Sequence, residues 1–247
     1  MELGLSGAAG AASLACVLHR RGSQFFGPSI WHGPRNRKQI ALTIDDGPSE
    51  QTPEFLALLD TLGVRATFFQ CGKNIDRLPR IAAQVRDAGH EIGNHTYSHP
   101  RLIFCTPARI REEIRDTQAA IRRATGIQAR LFRAPYGIRS FGLREALREH
   151  GLTGVLWTVM GHDWDWEDIE IAHYVVWHVS NGAIICLHDG DRTSPQVDRN
   201  NTILALRQII PKLYESGYTF VTAGEMLDQI RTGQAAAPAG RATLDAA

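Results

Sequence analysis

The sequence is poor in cysteine, in lysine and in long apolar runs. Its four cysteines, Cys16, Cys71, Cys105 and Cys186, never fall at Cys-x-x-Cys spacing, which argues against a zinc ribbon. Four in 247 residues are also too few for a disulfide scaffold, so they read as buried thiols. Lysine stands only at Lys38, Lys73 and Lys212, and no function follows from that. No excess of one charge exists either: 27 Lys+Arg against 26 Asp+Glu leave a net charge of +1. That balance argues against a dedicated nucleic-acid binder. The small, apolar stretch 3–18 is too short, and too rich in Gly, Ala and Ser, for a stable membrane span. Glu2 stands where a signal peptide carries positive charge. Residues 1–38 therefore read as an N-terminal extension, loosely ordered or weakly anchoring, and the compartment stays open between cytoplasm and cell envelope.

What is present is enough apolar material for one sizeable core, with 43% hydrophobic and 21% charged residues. Short β-branched runs alternate with amphipathic stretches. Gln39–Ile44 reads as a strand that stops at Asp45-Asp46-Gly47-Pro48. Pro53–Leu62 reads as a helix, with Pro in its first turn and Gly63 beyond its end. Further strands are expected at Ala66–Gln70, Glu91–Asn94, Ala129–Arg133, Thr153–Thr158, Ala183–Leu187 and Tyr218–Thr222. Helices are expected at Leu78–Ala88, Pro107–Thr125, Gly142–His150, within Glu167–Val179 and at Thr202–Glu215, with a short one at the C-terminal end. About seven β/α units with short connections predict an α/β fold. The expected architecture is one domain, a distorted (β/α) barrel of about seven parallel strands. Residues 231–247 are Ala-rich without an apolar face and read as a disordered tail.

Barrels of this kind carry their chemistry where strands end. Asp45 and Asp46 end the first strand, and His95 and His99 follow the third. Arg133 ends the fourth, Asp163 and Asp165 follow the fifth, and His188 ends the sixth. Two imidazoles four residues apart and one carboxylate form the ligand set of a catalytic metal site with an open position. Such a metal polarises a carbonyl and lowers the pKa of water from 15.7 to about 7. One of the paired aspartates can ligate it while the other accepts a proton from the attacking water. A neighbouring arginine, with Arg133 the candidate, favours an ionised base. His188 can protonate the leaving group if a carboxylate, Asp163 or Asp165, holds it as imidazolium. Trp157, Trp164 and Trp166 flank these positions and suit stacking on a sugar ring.

These residues resemble the polysaccharide deacetylases, carbohydrate esterase family four. Thr43-Ile44-Asp45-Asp46-Gly47-Pro48 is similar to the first family motif, and His95-Thr96-Tyr97-Ser98-His99 to the second. Arg133-Ala134-Pro135-Tyr136 resembles the third, Asp163-Trp164-Asp165-Trp166 the fourth and Cys186-Leu187-His188 the fifth. The resemblance spans residues 39–230, the expected catalytic domain. It implies removal of N-acetyl groups from N-acetylglucosamine-containing glycans with one divalent metal, usually Zn2+, with Co2+ or another divalent ion as alternatives. By motif, Asp45 would be the base, oriented by Arg133, and Asp46, His95 and His99 the metal ligands. His188 would be the acid, tuned by Asp165, which precedes Trp166 as in the family pattern. Pro135 and Tyr136 would bind substrate, the backbone N–H of Tyr136 facing the oxyanion, and Trp166 and Leu187 would shape the acetyl pocket. Two positions depart from the pattern: Ile44 replaces a common Phe, and Cys186 a usual Leu. The same hydrolysis on another acyl group, a formamide on a lipid-linked sugar, an O-acetyl on xylan or a ring amide, is the alternative. The loop 189–201 borders the expected site. The oligomeric state is not encoded in these patterns.

Overall fold

The computed structural model describes residues 21–194 and 196–233. The apolar stretch 3–18 lies outside the described residues, as do 234–247 of the expected tail 231–247, whereas Arg231 and Thr232 belong to the last helix. In chain order the elements are β1 (Ser29–Ile30), β2 (Gln39–Asp45), α1 (Thr52–Thr61), β3 (Thr67–Gln70), α2 (Gly72–Arg77), α3 (Pro79–Asp87) and β4 (Glu91–Asn94). There follow α4 (Pro107–Thr125), β5 (Leu131–Phe132), α5 (Leu143–Glu149), β6 (Thr153–Val155), β7 (Val159–Met160), α6 (Asp168–His178), β8 (Ile184–His188), α7 (Asn200–Glu215), β9 (Thr219–Val221) and α8 (Ala223–Thr232). Short 3-10 turns lie at Leu102–Phe104 and Pro135–Gly137.

Among the described residues one sheet holds all nine strands, in the order β1-β6-β5-β4-β3-β2-β8-β7, with β9 joined to β2. Every pairing is parallel. The stretch 153–160 serves both ends of this order. Its first part pairs β5 through Thr153 and Gly154, and its second pairs β8 through Val159 and Met160. The sheet therefore curls back on itself as a distorted (β/α) barrel. Nine strands rather than about seven arise because 153–160 breaks into two pairing segments and because Ser29–Ile30 adds a strand too short to show periodicity. The polar helix α2 was likewise invisible as an apolar pattern.

Strand alternation sorts the side chains into two cores. Ile40, Leu42 and Ile44 of β2 and Ile185 and Leu187 of β8 join the large core shared with the helices. Ala41 and Ile184, one residue out of phase, join a smaller inward core with Phe69, Leu131, Val155 and Met226 of α8. Burying a side chain such as Phe68, 0% exposed, stabilises by about 1.5–3 kcal/mol. The register of β2 with β8 pairs Ala41 with Ile184, Thr43 with Cys186 and Asp45 with His188. Moving up the inward face, the residues thus change from apolar to polar and end on two titratable groups side by side.

The helices that hold this sheet are capped by their own sequence. Thr106 accepts the Arg109 N–H at the start of α4, Pro107 occupies its first turn, and Gly126 closes it at φ 73°. Thr222 and Glu225 form a capping box on α8.

Candidate active site

Asp45 is the last residue of β2, and Asp46 begins the loop in left-handed backbone at φ 74°. That reversal after a strand separates two adjacent carboxylates. Asp45 accepts from Arg133 Nη1 at 2.7 Å through Oδ1 and from the Cys186 thiol at 3.4 Å through Oδ2. Asp46 Oδ1 faces His95 Nε2 at 3.3 Å and His99 Nε2 at 3.1 Å. Its Oδ2 accepts the Arg192 backbone N–H at 2.9 Å. Thr96, His99, Tyr136 and His162 also have positive φ, so left-handed non-glycine backbone gathers in the loops at this mouth. Such conformations cost about 1–3 kcal/mol each and persist where the surroundings impose them.

The surroundings do impose them. Glu113, on α4 and 1% exposed, accepts the backbone N–H of Tyr97 and of Ser98, both at 2.7 Å. It also accepts the Ser98 hydroxyl at 2.6 Å and pairs with Arg109 at 2.5 Å. One carboxylate thus fixes the loop between His95 and His99. Asn74 donates to the Asp46 carbonyl at 2.8 Å. Gly47 and Gly190 bring the ends of β2 and β8 together: a Cβ on Gly47 would meet Asp189 Oδ1 at 2.5 Å, and one on Gly190 the Asp46 carbonyl oxygen at 2.3 Å.

Asp46, His95 and His99 have the geometry of a metal site. Their donor atoms lie within 4.8 Å of one another and all three residues are buried. Asp46 Oδ1 is buried without a hydrogen-bond donor. His95 Nδ1 donates to the Arg133 carbonyl at 2.9 Å, which leaves Nε2 with a lone pair toward Asp46. Lone pairs converging on one point call for a cation. Burial alone would raise the Asp46 pKa, but the facing imidazoles of His95 and His99 and the charge of His188 hold it well below the usual range. The residues present therefore fit a divalent ion.

Arg133 is fully buried at the centre of the inward face. Its Nη1 bonds Thr43 Oγ1 and Asp45 Oδ1, both at 2.7 Å, and Nε bonds the Val155 carbonyl at 3.1 Å. Its guanidinium lies 4.2 Å from the Phe69 ring. A buried charge held this way compensates Asp45 and fixes its orientation.

The assignment of Asp165 to His188 is corrected by the geometry. His188 Nδ1 contacts Asp163 Oδ1 at 2.8 Å, and its backbone N–H bonds Asp163 Oδ2 at 2.8 Å. Asp163 is buried, whereas Asp165 is exposed and its N–H turns back to the His162 carbonyl. Both aspartates precede a tryptophan, so the Asp-Trp signal alone did not separate them; burial does. Thr202 of α7 donates to Asp163 Oδ2 at 2.9 Å and Arg199 to its carbonyl at 3.2 Å. Burial by itself lowers the His188 pKa, but Asp163, with Asp46 and Asp45 further off, outweighs this and raises it to about 9.

The remaining sequence candidates lie around this centre. The Tyr136 ring is 4.8 Å from His99 and under Arg101, with Pro135 buried at the start of the same turn. Trp166 and Leu187 share the large apolar cluster on the helix side, and Trp166 packs on His162 and Tyr174. Trp164, 45% exposed, stands edge-on to His188 at 5.3 Å. Sequence reasoning did not single out Glu113, Thr202 or Asp189. Burial, opposed by the Thr52 hydrogen bond and aided by Asp46 and Asp45, pushes Asp189 up to about 7. Its adjacency to His188 was the one available signal; Glu113 looks in the sequence like any charge on a helix.

A curled parallel sheet with two carboxylates, two histidines and a paired arginine at its mouth defines a metal-dependent hydrolase architecture. The family model described as polysaccharide deacetylase matches residues 32–155. The chain is 35% identical over 215 residues to a peptidoglycan-N-acetylglucosamine deacetylase of Bacillus cereus, covering 85% of this chain and 98% of that one. It is 36% identical over 191 residues to a chitooligosaccharide deacetylase of a Bradyrhizobium species, covering 73% and 87%. The crystal structure of a peptidoglycan N-acetylglucosamine deacetylase superposes with a TM-score of 0.75 at 34% identity, covering 79% and 91%. The chain belongs to the polysaccharide deacetylase family, carbohydrate esterase family four, and is an enzyme of that hydrolase class. Among the described residues no helix is long and apolar enough to cross a membrane.

Proposed function

We propose that the chain hydrolyses the N-acetyl group of N-acetylglucosamine in a glycan of the peptidoglycan or chitooligosaccharide type, with one bound Zn2+. The observation that carries this reading is the buried convergence of Asp46, His95 and His99 next to a separately held Asp45 and His188. Asp46, His95 and His99 would hold the ion. When bound, it supplies Lewis acidity toward water and the acetyl carbonyl.

The chain's own groups do the rest. Asp45, its Oδ1 fixed by Arg133, accepts the proton of the attacking water on Oδ2, which faces His95 Nε2 at 3.9 Å. The Tyr136 backbone N–H donates to the developing oxyanion. His188, held as imidazolium by Asp163, gives its Nε2 proton to the departing amine, and the C–N bond breaks. Trp164 offers an exposed ring beside His188 for the sugar face, whereas Leu187, expected to shape the acetyl pocket, faces the helix-side core. Incubation with acetylated chito-oligomers, peptidoglycan fragments and acetylated xylan, followed by acetate release, tests the reading. Release from the amide substrates and not from xylan supports it. Release from xylan alone overturns it.

A further inference from the structure

Cys186 stands inside the mouth, and neither the fold nor the proposed reaction gives its thiol a task. Its Sγ lies 3.4 Å from Asp45 Oδ2 and 3.5 Å from Arg133 Nη1, and the residue is fully buried. The parallel register explains why: Cys186 and His188 are two residues apart on one face of β8, and His188 is paired with Asp45. One donor atom each from Asp45, Cys186 and His188 lies within 4.8 Å of the others. The partners of these groups leave the right atoms over. Arg133 holds Asp45 Oδ1, so Oδ2 is the oxygen turned to the thiol. Asp163 holds His188 Nδ1, so Nε2 is the free nitrogen. A carboxylate on the outer imidazole nitrogen is the support that metal-ligating histidines usually have.

We propose that Asp45 Oδ2, Cys186 Sγ and His188 Nε2 form a second cation site, for a thiolate-seeking divalent ion such as Cd2+ or excess Zn2+, and that filling it switches the enzyme off. Carboxylate, thiolate and imidazole together suit these ions and disfavour Mg2+ or Ca2+. The thiol proton, and the Nε2 proton where His188 carries one, pass to solvent as the metal–sulfur and metal–nitrogen bonds form. His188 is 13% exposed on its side chain, so the site opens to the mouth. The inhibitory half of the proposal rests on the deacetylase reading, because the cation would occupy both the proton acceptor and the proton donor of that reaction. A leucine at 186 removes the sulfur, so the site is peculiar to chains that carry cysteine there.

The test titrates the metal-free full chain with Cd2+. It follows the ultraviolet thiolate-to-cadmium charge-transfer band, the bound stoichiometry and, in parallel, acetate release. Two equivalents should bind, the band should grow with the second, and release should rise over the first equivalent and fall over the second. Cys186→Ala should bind one equivalent without the band and lose the falling phase. Cys186→Ser, close to isosteric, serves the same purpose should the alanine variant lose its fold by circular dichroism. Cys105→Ala, altering a partly exposed thiol elsewhere, should keep both band and stoichiometry. A single equivalent in the parent chain, or a band that survives in Cys186→Ala and Cys186→Ser, overturns the proposal. An absence of acetate release at every metal loading would overturn the deacetylase reading and the switch, while the band and stoichiometry still decide the site.

Discussion

On the β2–β4 side of the mouth, Asp46 Oδ1 and His99 Nδ1 are buried with no hydrogen-bond partner. On the β8 side, Asp163 engages both oxygens, with His188 Nδ1, the His188 N–H and Thr202, and His188 is thereby oriented. The first arrangement is costly in the protein alone. An unpaired buried polar atom costs about 1–3 kcal/mol, and the left-handed backbone at Asp46, Thr96 and His99 adds to that. A cation on Asp46 Oδ1 and on the His99 Nε2 that faces it recovers the cost of the unpartnered carboxylate oxygen, so this side is suited to binding. The Asp163–His188 pair has no such cost to recover; it keeps one imidazole in one orientation and charged, which is what a proton donor needs. Two adjacent aspartates fall on different sides of this division because a single left-handed residue turns Asp46 away from the strand that ends at Asp45.

The comparison breaks most visibly if its unsatisfied side does not hold metal. Asp46→Ala should lose bound metal by elemental analysis and take deacetylation to background. Asp45→Asn should keep the metal yet lower kcat by roughly 10²–10⁴-fold, the usual share of a general base. Retention of metal in Asp46→Ala, or of substantial turnover in Asp45→Asn, would erase the division of labour between the two.

The satisfied side is tested next by pH. In the metal-free chain His188 should titrate at about 9 by NMR, against 6.5 for an ordinary histidine. Replacing Asp163 with Asn removes the main partner that raises it, so burial then dominates and the titration should move to lower pH. Stability follows the same sign. The folded value lies above the unfolded one, so the stabilisation is complete below about 6.5 and is lost as pH rises through about 9. Thermal unfolding of the metal-free parent should therefore weaken across that window, and Asp163→Asn should flatten the loss. An unchanged NMR titration in Asp163→Asn would show that the ion pair does not set the proton donor.

The strand-end positions of Asp45, His95, Arg133 and His188 were legible because period and turn residues mark where β strands stop. The histidine pair was suggested by its spacing, while the choice of Asp46 over Asp45 as ligand came from the family resemblance. What the sequence hid was whatever depends on depth. The Asp163–Trp164 and Asp165–Trp166 pairs are chemically equivalent as text, and only their burial tells them apart. Ser29–Ile30 is too short to carry a pattern and becomes a strand only because Gly154 and Val155 accept it as a neighbour. Glu113 lies on α4 amid charged neighbours, and its role exists only because the His95–His99 loop folds over that helix.

Glu113 also sharpens the comparison at moderate amplitude. It fixes the unsatisfied side from outside, touching no donor atom of Asp46, His95 or His99. Glu113→Gln keeps the shape but exchanges a charged acceptor of two N–H groups for a neutral one. Metal affinity should weaken by roughly 10–100-fold, the usual effect of altering groups that support ligands, with turnover at saturating metal much less affected. Isothermal titration separates the two readouts. Equal affinity in Glu113→Gln would mean that the left-handed loop holds its shape unaided.

The smallest effect is expected at Asp165, and its smallness is informative. Asp165 is exposed and lies two residues from a buried Asp163 that already meets His188 through both oxygens. A carboxylate in water near a charged imidazole is screened within about a Debye length, roughly 8 Å at physiological salt. Exposed substitutions of this kind usually stay within about 0.5 kcal/mol. Asp165→Asn should thus leave kcat within about twofold and the His188 titration unmoved, while Asp163→Asn moves it. Were the two variants to change the pH profile equally, the proton donor would answer to the summed charge of the loop rather than to one buried contact, and the contrast between the two sides of the mouth would reduce to a difference in net charge.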